Sequence, residues 1–367
     1  MPVAERWAYF DHAAVCPLPA PVRDAIRAWA DDMAANGDTG WLAWSRRAEE
    51  VRGLVAALVN ASPDEIALVR NTTEGITLVA EGFPWRKGDN VVVPAAEFPS
   101  NLYPWLNLES RGVEVRRVAA PGGRLELADV EAACDARTRM VSASWVDYAT
   151  GWRNDLAALA EIAHRRGGYL FVDAIQGLGV FPLDATAAGI DFFAADGHKW
   201  LLGPEGAGAF FVRRPLLEML RPLGVGWNSV VHAGRYDDPS FNLKPTAARY
   251  EGGTLPLGGF IGLRASLQLL KGLGTAEIEN RVLAITDLAC EELRSAGASV
   301  VSDRAQGRAS GIVAFEWPGK DPAEVRKHCL RQGVALSCRG GRLRISPHAY
   351  NNAEDVARLL AALRSAP

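Results

Sequence analysis

Four polar residues near the middle of the chain could form one chemical site. Asp173 and Gln176 follow one apolar segment, and His198 and Lys199 follow the next. A lysine amine can bond covalently to an aldehyde, and a carboxylate can keep a ring nitrogen protonated so that the ring accepts electrons. Pyridoxal 5′-phosphate, a pyridine aldehyde, needs such a set. The four residues therefore predict a site for this cofactor.

The surrounding elements place these residues at one edge of a sheet. Helices alternate with short apolar segments, which predicts a mostly parallel sheet covered on both faces. In such α/β sheets ligands bind where strands end at their carboxyl termini. The predicted strands are 90–94, 112–118, 138–146, 169–173, 190–195 and 206–213. The last three bracket the four polar residues, so their side chains should share one crevice.

The order of these residues also resembles a known family. Asp173-x-x-Gln176, then His198-Lys199 and Gly203-Pro204-x-Gly206, is similar to the signature of the class V aminotransferase and cysteine desulfurase group of fold type I pyridoxal-phosphate enzymes. The resemblance implies that Lys199 forms the Schiff base and that Asp173 pairs with the pyridinium nitrogen. It also implies that Gln176 reaches the phenolic oxygen and that His198 lies by the phosphate. Asp196 stands where the family often has a serine phosphate donor.

The resemblance spans nearly the whole chain and implies an α/β architecture. We expect a large domain with a mostly parallel seven-stranded sheet between helices, and a small α+β C-terminal domain. The large domain is predicted at 15–257, and the small domain at 1–14 and 258–367.

Two further segments are candidates for binding the cofactor. Thr72 and Thr73 precede an apolar helical run, where free N–H groups and the helix dipole favour an anion. A plain N-cap explains the same residues, but the family uses a similar T-T-E-G segment as its phosphate cup. Phe98, in a stretch that resembles E-H-x-x-N, replaces a histidine that stacks on the cofactor ring. An aromatic face can still stack there, although Phe98 could equally be a core residue.

Substrate contacts are predicted from the ends of the chain. Arg344 lies in a segment that resembles the family's R-x-S-x-x-x-Y-N, which implies that its planar fork binds the substrate α-carboxylate. Arg339 and Arg342 are weaker candidates for the same role, and we expect them to be solvated. His12, in a loop similar to Y-L-D-N-A-A, could help to set specificity. Tyr148 and Trp227 are further pocket candidates.

Thr254 bears on the assembly of the protein. The segment 251–254 resembles the family's E-x-G-T turn, whose threonine donates to the phosphate bound by the partner subunit. The resemblance therefore implies a homodimer in which each site is completed by two chains.

Composition limits the classes of function. The 367 residues carry a net charge of −3, with 49% hydrophobic and 23% charged residues, which gives no electrostatic reason to bind nucleic acid or an anionic membrane. No apolar run could span a bilayer, and the first residues lack the pattern of a signal peptide. We expect a cytoplasmic protein that acts on a small amino acid or amine. Five scattered cysteines and no C-x-x-C argue against a metal or disulfide framework.

Several reactions remain open at this point. An aminotransferase is the first expectation, and an epimerase or a β-eliminating carbon–sulfur lyase of the same family is the alternative. A cysteine desulfurase ranks lower, because that reaction needs a nucleophilic cysteine on a mobile loop before the carboxylate arginine, and Cys338 lies in a predicted strand. A non-catalytic dimeric scaffold ranks last, since it has no reason to keep Lys199, Asp173 and Arg344 together.

Overall fold

The computed structural model describes residues 1–237 and 240–366. Within these ranges thirteen strands form three sheets. The strands are β1 (Ala8–Tyr9), β2 (Ile66–Val69), β3 (Asn90–Pro94), β4 (Glu114–Val118), β5 (Thr138–Ser144), β6 (Tyr169–Asp173), β7 (Phe192–Asp196), β8 (Gly208–Val212), β9 (Ser299–Val300), β10 (Val313–Glu316), β11 (Val334–Ala335), β12 (Ser337–Arg339) and β13 (Arg342–Ile345).

Ten α-helices in the same ranges cover these sheets, and several short 3-10 turns connect them. The helices are α1 (Ala20–Asn36), α2 (Trp41–Leu58), α3 (Thr72–Gly82), α4 (Tyr103–Leu106), α5 (Leu127–Ala133), α6 (Leu156–Arg165), α7 (Leu257–Leu273), α8 (Thr275–Ser295), α9 (Pro322–Arg331) and α10 (Ala353–Arg364). None has the length and apolar character needed to cross a membrane.

The central sheet has seven strands in the order β2-β8-β7-β6-β5-β3-β4. Strand β8 runs antiparallel to both of its neighbours, and every other neighbouring pair is parallel. Two antiparallel steps restore the direction, so β2 points the same way as β7. The carboxyl ends of β2, β3, β5, β6 and β7 therefore lie at one edge, as predicted for the site.

Both faces of this sheet are buried, which explains why its strands are almost continuously apolar. Along β6, Phe171 packs into one core cluster and Val172 into the other, because successive side chains point to opposite faces. Helices α2, α6 and α7 cover the Val172 face, and α3 covers the Phe171 face. The sequence-based fold class is confirmed, including the seven-stranded, mostly parallel sheet.

The remaining strands build a smaller α+β unit. Strands β12, β13, β10 and β9 form an antiparallel sheet in that order, and β1 pairs in parallel with β11. The N-terminal segment thus packs with the C-terminal part of the chain. Helix α7 packs against α1, α2 and the core of the large sheet. Along α8, Val282 packs into that large core, whereas Ile285 packs into the core of the smaller unit. The packing of α8 therefore changes along its length from one core to the other.

Some elements differ from their predictions for physical reasons. Strand β2 was not among the predicted strands, because its four apolar residues are too few to distinguish a strand from part of a helix. The sequence pattern of residues 101–110 predicts one helix, but they form a single turn, α4, followed by a 3-10 turn. Residues 224–254, rich in Gly, Pro and aromatic residues, are predicted to be irregular; in their described part they contain no α-helix and no strand beyond an isolated bridge.

Candidate active site

Lys199 lies on a tight turn that follows β7 at the carboxyl edge of the sheet. Gly203 N donates to Gly197 O at 2.8 Å, and Leu202 N donates to Lys199 O at 3.1 Å. Leu202 has a φ of 55°, a left-handed conformation that is uncommon for a branched side chain and is typical of strained functional turns. The turn directs Lys199, which is 8% exposed, into a cavity of about 290 Å³.

The surroundings of Lys199 favour its neutral amine. Burial lowers the pKa of Lys199 to about 8, the nearby Asp173 carboxylate opposes this shift, and the Arg344 guanidinium adds to it. The Nζ atom lies 5.5 Å from the centre of the Phe98 ring. The amine is therefore placed to act as a nucleophile or a base near neutral pH.

Asp173 ends β6 beside Lys199 and is 2% exposed. Burial raises its pKa to about 6, while the Ile175 N–H, which donates to Oδ1 at 3.1 Å, and the Lys199 ammonium oppose the rise. The group is therefore mostly a carboxylate at neutral pH. A buried carboxylate that lines a cavity is suited to pair with a cationic ring nitrogen.

Gln176 lines the same cavity, and protein groups already hold its amide. Its Nε2 donates to Ala13 O at 3.0 Å, and its Oε1 accepts from Trp200 Nε1 at 2.8 Å. One amide hydrogen remains to donate to a ligand oxygen. Trp200 follows Lys199 directly, and Ala13 belongs to the N-terminal loop. The two hydrogen bonds of Gln176 therefore connect the turn that carries Lys199 with that loop.

The start of α3 forms another wall of the cavity. Asn71 caps the helix by accepting from Glu74 N at 2.9 Å, and Thr72 and Thr73 in its first turn line the cavity. Thr72 Oγ1 accepts from Asp196 N at 3.0 Å, which joins this helix to the end of β7. Free N–H groups and hydroxyls at a helix start suit a phosphate.

His198 and Asp196 face the cavity near this helix start. His198 Nδ1 lies 3.0 Å from Asp196 Oδ2, but outside hydrogen-bonding geometry. Asp196 Oδ1 has no hydrogen-bond partner within the described residues although it is buried. Buried polar atoms without partners indicate a place for a polar ligand.

Phe98 and Tyr148 form an aromatic wall. Their ring centres are 5.3 Å apart in an edge-to-face arrangement, and both residues line the cavity. Phe98 is 40% exposed. It therefore presents an open aromatic face to the cavity and is not a core residue.

Arg344 enters the cavity from β13 and is 1% exposed. Its Nη1 donates to Tyr148 O at 2.6 Å, and its Nη2 donates to Asp11 Oδ1 at 3.2 Å and to Ser337 Oγ at 3.3 Å. The Nε atom is buried and has no partner in the described parts of the chain. Two of the five N–H groups are thus left for a ligand such as a carboxylate.

Three predicted site residues lie outside this cavity. His12 is fully buried; its Nδ1 donates to Ser346 O at 2.9 Å, and its Nε2 accepts from the Tyr350 hydroxyl at 3.0 Å. Neither ring nitrogen is free to contact a substrate. Trp227 is 40% exposed and contacts Tyr236. Thr254 is exposed in a surface depression that it shares with Thr73.

Arg339, a weaker candidate in the sequence, also lies in this cavity. It was expected to be solvated, but its side chain is half-buried and lines the cavity with Arg344. The alternation along β12 could have revealed it, because Ser337 and Arg339 point to the same face and Ser337 pairs with Arg344.

The site can be compared with known proteins. The family model described as Aminotransferase class-V matches residues 8–359. A probable cysteine desulfurase from Methanothermobacter thermautotrophicus is 35% identical, and the alignment covers 97% of this chain and 94% of that protein.

Solved structures are similar to this chain over nearly its whole length. The apo structure of a cysteine desulfurase from Thermococcus onnurineus has a TM-score of 0.89 and 26% identity, covering 99% of this chain and 95% of that one. A complex of the cystine C–S lyase C-DES with cysteine persulfide has a TM-score of 0.92, covering 100% of this chain and 99% of the other. Its identity is 23%, so this likeness shows the fold alone.

Proposed function

The chain belongs to the class V aminotransferases, a family of pyridoxal 5′-phosphate enzymes, and from that premise we propose that it is a lyase that cleaves the carbon–sulfur bond of a cysteine-type amino acid. The observation that carries the proposal is the meeting of Lys199, Asp173 and Arg344 in one cavity. An amine, a carboxylate and a guanidinium are the groups that such a reaction requires around the cofactor and an α-amino acid.

The residues present fit this cofactor. The cavity of about 290 Å³ is at the lower end of the usual range for a small-molecule site, and the buried Arg344 Nε, which has no partner in the described residues, is a free donor for an anionic group. Asp173 would hold the proton on the ring nitrogen, Gln176 would face the ring oxygen, and Phe98 would lie against the ring. Thr72, Thr73 and His198 would bind the phosphate.

When bound, pyridoxal 5′-phosphate supplies an aldehyde that links to amino groups and a ring that accepts the electron pair of a bond broken at the α-carbon. Lys199 would hold the aldehyde, and its amine, when free, would move the substrate α-proton. Arg344 orients the substrate through its α-carboxylate, which uses the N–H groups that the protein leaves free. The aromatic wall of Phe98 and Tyr148 restricts water on one side of Lys199.

Carbon–sulfur chemistry is supported over transamination by the relatives, which are named cysteine desulfurases. Transamination remains the second candidate. In the described ranges Lys199 is the only amine that lines the cavity, and this amine could return a proton either to the substrate or to the cofactor. Return to the cofactor leads to transamination. Either reaction uses the same residues, so the products have to decide between them.

The short β12–β13 hairpin supports elimination over the desulfurase reaction, in which a cysteine of the protein takes up the sulfur. Gly340 and Gly341 close the hairpin with φ angles of 54° and 74°, which leaves no long loop before Arg344. Cys338 pairs with the fully buried Leu343, on the face opposite Arg344. A thiol on that face does not meet a substrate held by Arg344, so we propose that sulfur leaves as a free thiol.

The products of L-cysteine and L-cystine test this proposal. Elimination with water converts L-cysteine to pyruvate, ammonium and hydrogen sulfide, and L-cystine to pyruvate, ammonium and cysteine persulfide. We expect pyruvate and ammonium in equal amounts, from the wild type and from Cys338→Ala alike. Alanine with sulfur bound to the protein, abolished in Cys338→Ala, would establish a desulfurase. A keto acid formed with the amine form of the cofactor would establish transamination.

A further inference from the structure

Arg339 is a second guanidinium in the cavity, and nothing in the proposed reaction uses it. It lies at the end of β12, two residues after Ser337, whose register partner is Arg344. Residues two apart on a strand share a face, and the strand geometry places the Cα atoms of Arg339 and Arg344 roughly 8 Å apart on neighbouring strands. Both side chains line the cavity. The hairpin therefore presents two cations to the same space.

Within the described residues, the Arg339 guanidinium has no anionic partner. Its Nη1 donates to Cys338 O at 2.8 Å, and no carboxylate lies within ion-pair distance in the parts of the chain that the structure describes. Its register partner Arg342 differs, because Arg342 Nε lies 3.0 Å from Glu316 Oε1. A half-buried guanidinium left unpaired at a cavity wall is suited to bind an anion from outside.

The other charged groups of the cavity already have roles in the proposed function. In the proposed function Lys199 bonds to the aldehyde and Asp173 pairs with the ring nitrogen. Arg344 binds the α-carboxylate of the substrate. Asp196 lies beside His198 near the start of α3. Arg339 is close enough to Lys199 and Arg344 to lower the pKa of both. It is the one cation among these cavity residues without an assigned anion.

We propose that Arg339 binds a second anionic group, a carboxylate at the far end of the substrate side chain. This inference rests on the proposed function and narrows its substrate class to S-substituted cysteines that carry a distal carboxylate. The α-carboxylate binds Arg344, the sulfur lies over the Lys199 side of the cavity, and the distal carboxylate binds the Arg339 fork. Neutral S-alkyl cysteines lack this last contact.

Two substrates of equal shape test the inference. S-(2-carboxyethyl)-L-cysteine carries the distal carboxylate, and S-(2-carbamoylethyl)-L-cysteine replaces it with a neutral amide. With the cofactor-loaded enzyme we expect kcat/KM for the acid to exceed that for the amide by about tenfold or more, since the contact is a charge-assisted hydrogen bond. In Arg339→Gln the ratio should fall to near one. The matched control Arg342→Gln, whose arginine is paired with Glu316, should keep the wild-type ratio.

The outcomes separate this inference from the function on which it rests. A wild-type ratio near one, or an Arg339→Gln variant that keeps the wild-type ratio, would overturn the role of Arg339 while elimination stands. If neither compound is cleaved, dissociation constants from the change in cofactor absorbance replace kcat/KM. Tighter binding of the acid that Arg339→Gln abolishes would support the anion site even though elimination had failed, and equal binding of the two compounds would overturn it.

Discussion

Lys199 is buried among two carboxylates and two guanidinium groups, and this environment determines when its amine can react. Asp173 and Asp196 favour the ammonium form, whereas burial, Arg344 and Arg339 favour the neutral amine. Burial is the largest of these effects, so the pKa falls from 10.5 to about 8. A lysine tuned in this way is a common feature of covalent catalysis.

The lowered pKa of Lys199 predicts a pH dependence for cofactor attachment. The neutral amine is the reacting form, and its fraction decreases as the pH falls below about 8. The rate at which cofactor-free protein takes up pyridoxal phosphate should therefore rise about tenfold per pH unit below this value and level off above it. Stopped-flow absorbance measures the rate, with Lys199→Ala as the control that forms no covalent link. A rate independent of pH between 6 and 9 would contradict this environment.

Replacement of Arg344 by lysine should lower kcat/KM for an amino acid substrate. Arg344→Lys keeps the charge but removes the planar fork, so kcat/KM for an amino acid substrate should fall about 10- to 100-fold, the equivalent of ~1.5–3 kcal/mol. Arg342→Lys, an exchange in the same hairpin at a residue paired with Glu316, is the control and should stay within about twofold. Thermal melting of both variants checks the fold. Wild-type kcat/KM in Arg344→Lys would show that another group holds the carboxylate.

At the scale of elements, the site depends on how closely α3 approaches the sheet. Gly75 lies in the first turn of α3, and a Cβ added there would lie 2.5 Å from Ala194 Cβ on β7. The same turn presents Thr72 and Thr73, and Thr72 Oγ1 accepts from the last residue of β7. The position of the helix start relative to β7 is therefore set by the absence of a side chain at Gly75.

Gly75→Ala should weaken both folding and cofactor binding. The added methyl forces α3 away from β7, with an expected loss of about 1–3 kcal/mol in the free energy of unfolding and a higher dissociation constant for pyridoxal phosphate. Gly53→Ala is the matched control, since a Cβ at that position in α2 meets no atom within 4 Å. That control should gain about 0.5–1 kcal/mol from helix propensity. Equal melting temperatures for the two variants would refute the close approach.

At the scale of the whole molecule, Thr254 suggests that one chain does not complete the site. It is exposed, and it lies in a depression beside the start of α3 rather than in the cavity of its own chain. Glu251 of the same turn is anchored in the core by Arg52, with Arg52 Nη1 at 2.7 Å from Oε1. We propose that this anchored turn donates to the phosphate of a partner subunit.

The proposed assembly predicts the effect of Thr254→Val. Loss of a hydroxyl donor to a phosphate should raise the dissociation constant for pyridoxal phosphate about tenfold, while light scattering shows a dimer for both proteins. Thr77→Val, which alters a hydroxyl in the same depression, is the control and should bind the cofactor as the wild type does. A monomer that binds the cofactor with full affinity would contradict the shared site.

Much of this organisation could be predicted from the sequence because it depends on local patterns. The family and the cofactor are confirmed. The apolar runs predicted six strands of the central sheet, and the seven-stranded sheet that the family resemblance implied is also confirmed. The cavity position of Arg339 and the burial of His12 were not predicted, because they depend on the pairing of β12 with β13 and on the packing of His12 against Ser346 and Tyr350. Such contacts join distant parts of the chain, so the alternation along β12 indicates that Ser337 and Arg339 share a face but not which strand they pair with.

The central claim is that the Lys199 amine carries the cofactor. Borohydride reduction of the cofactor-loaded protein, followed by proteolysis and mass spectrometry of the peptides, tests it directly. We expect loss of the visible absorbance and a stable pyridoxyl group on the peptide that contains Lys199, with no labelled peptide from Lys199→Ala. A pyridoxyl group on another lysine, or a cofactor that is not trapped at all, would contradict the claim.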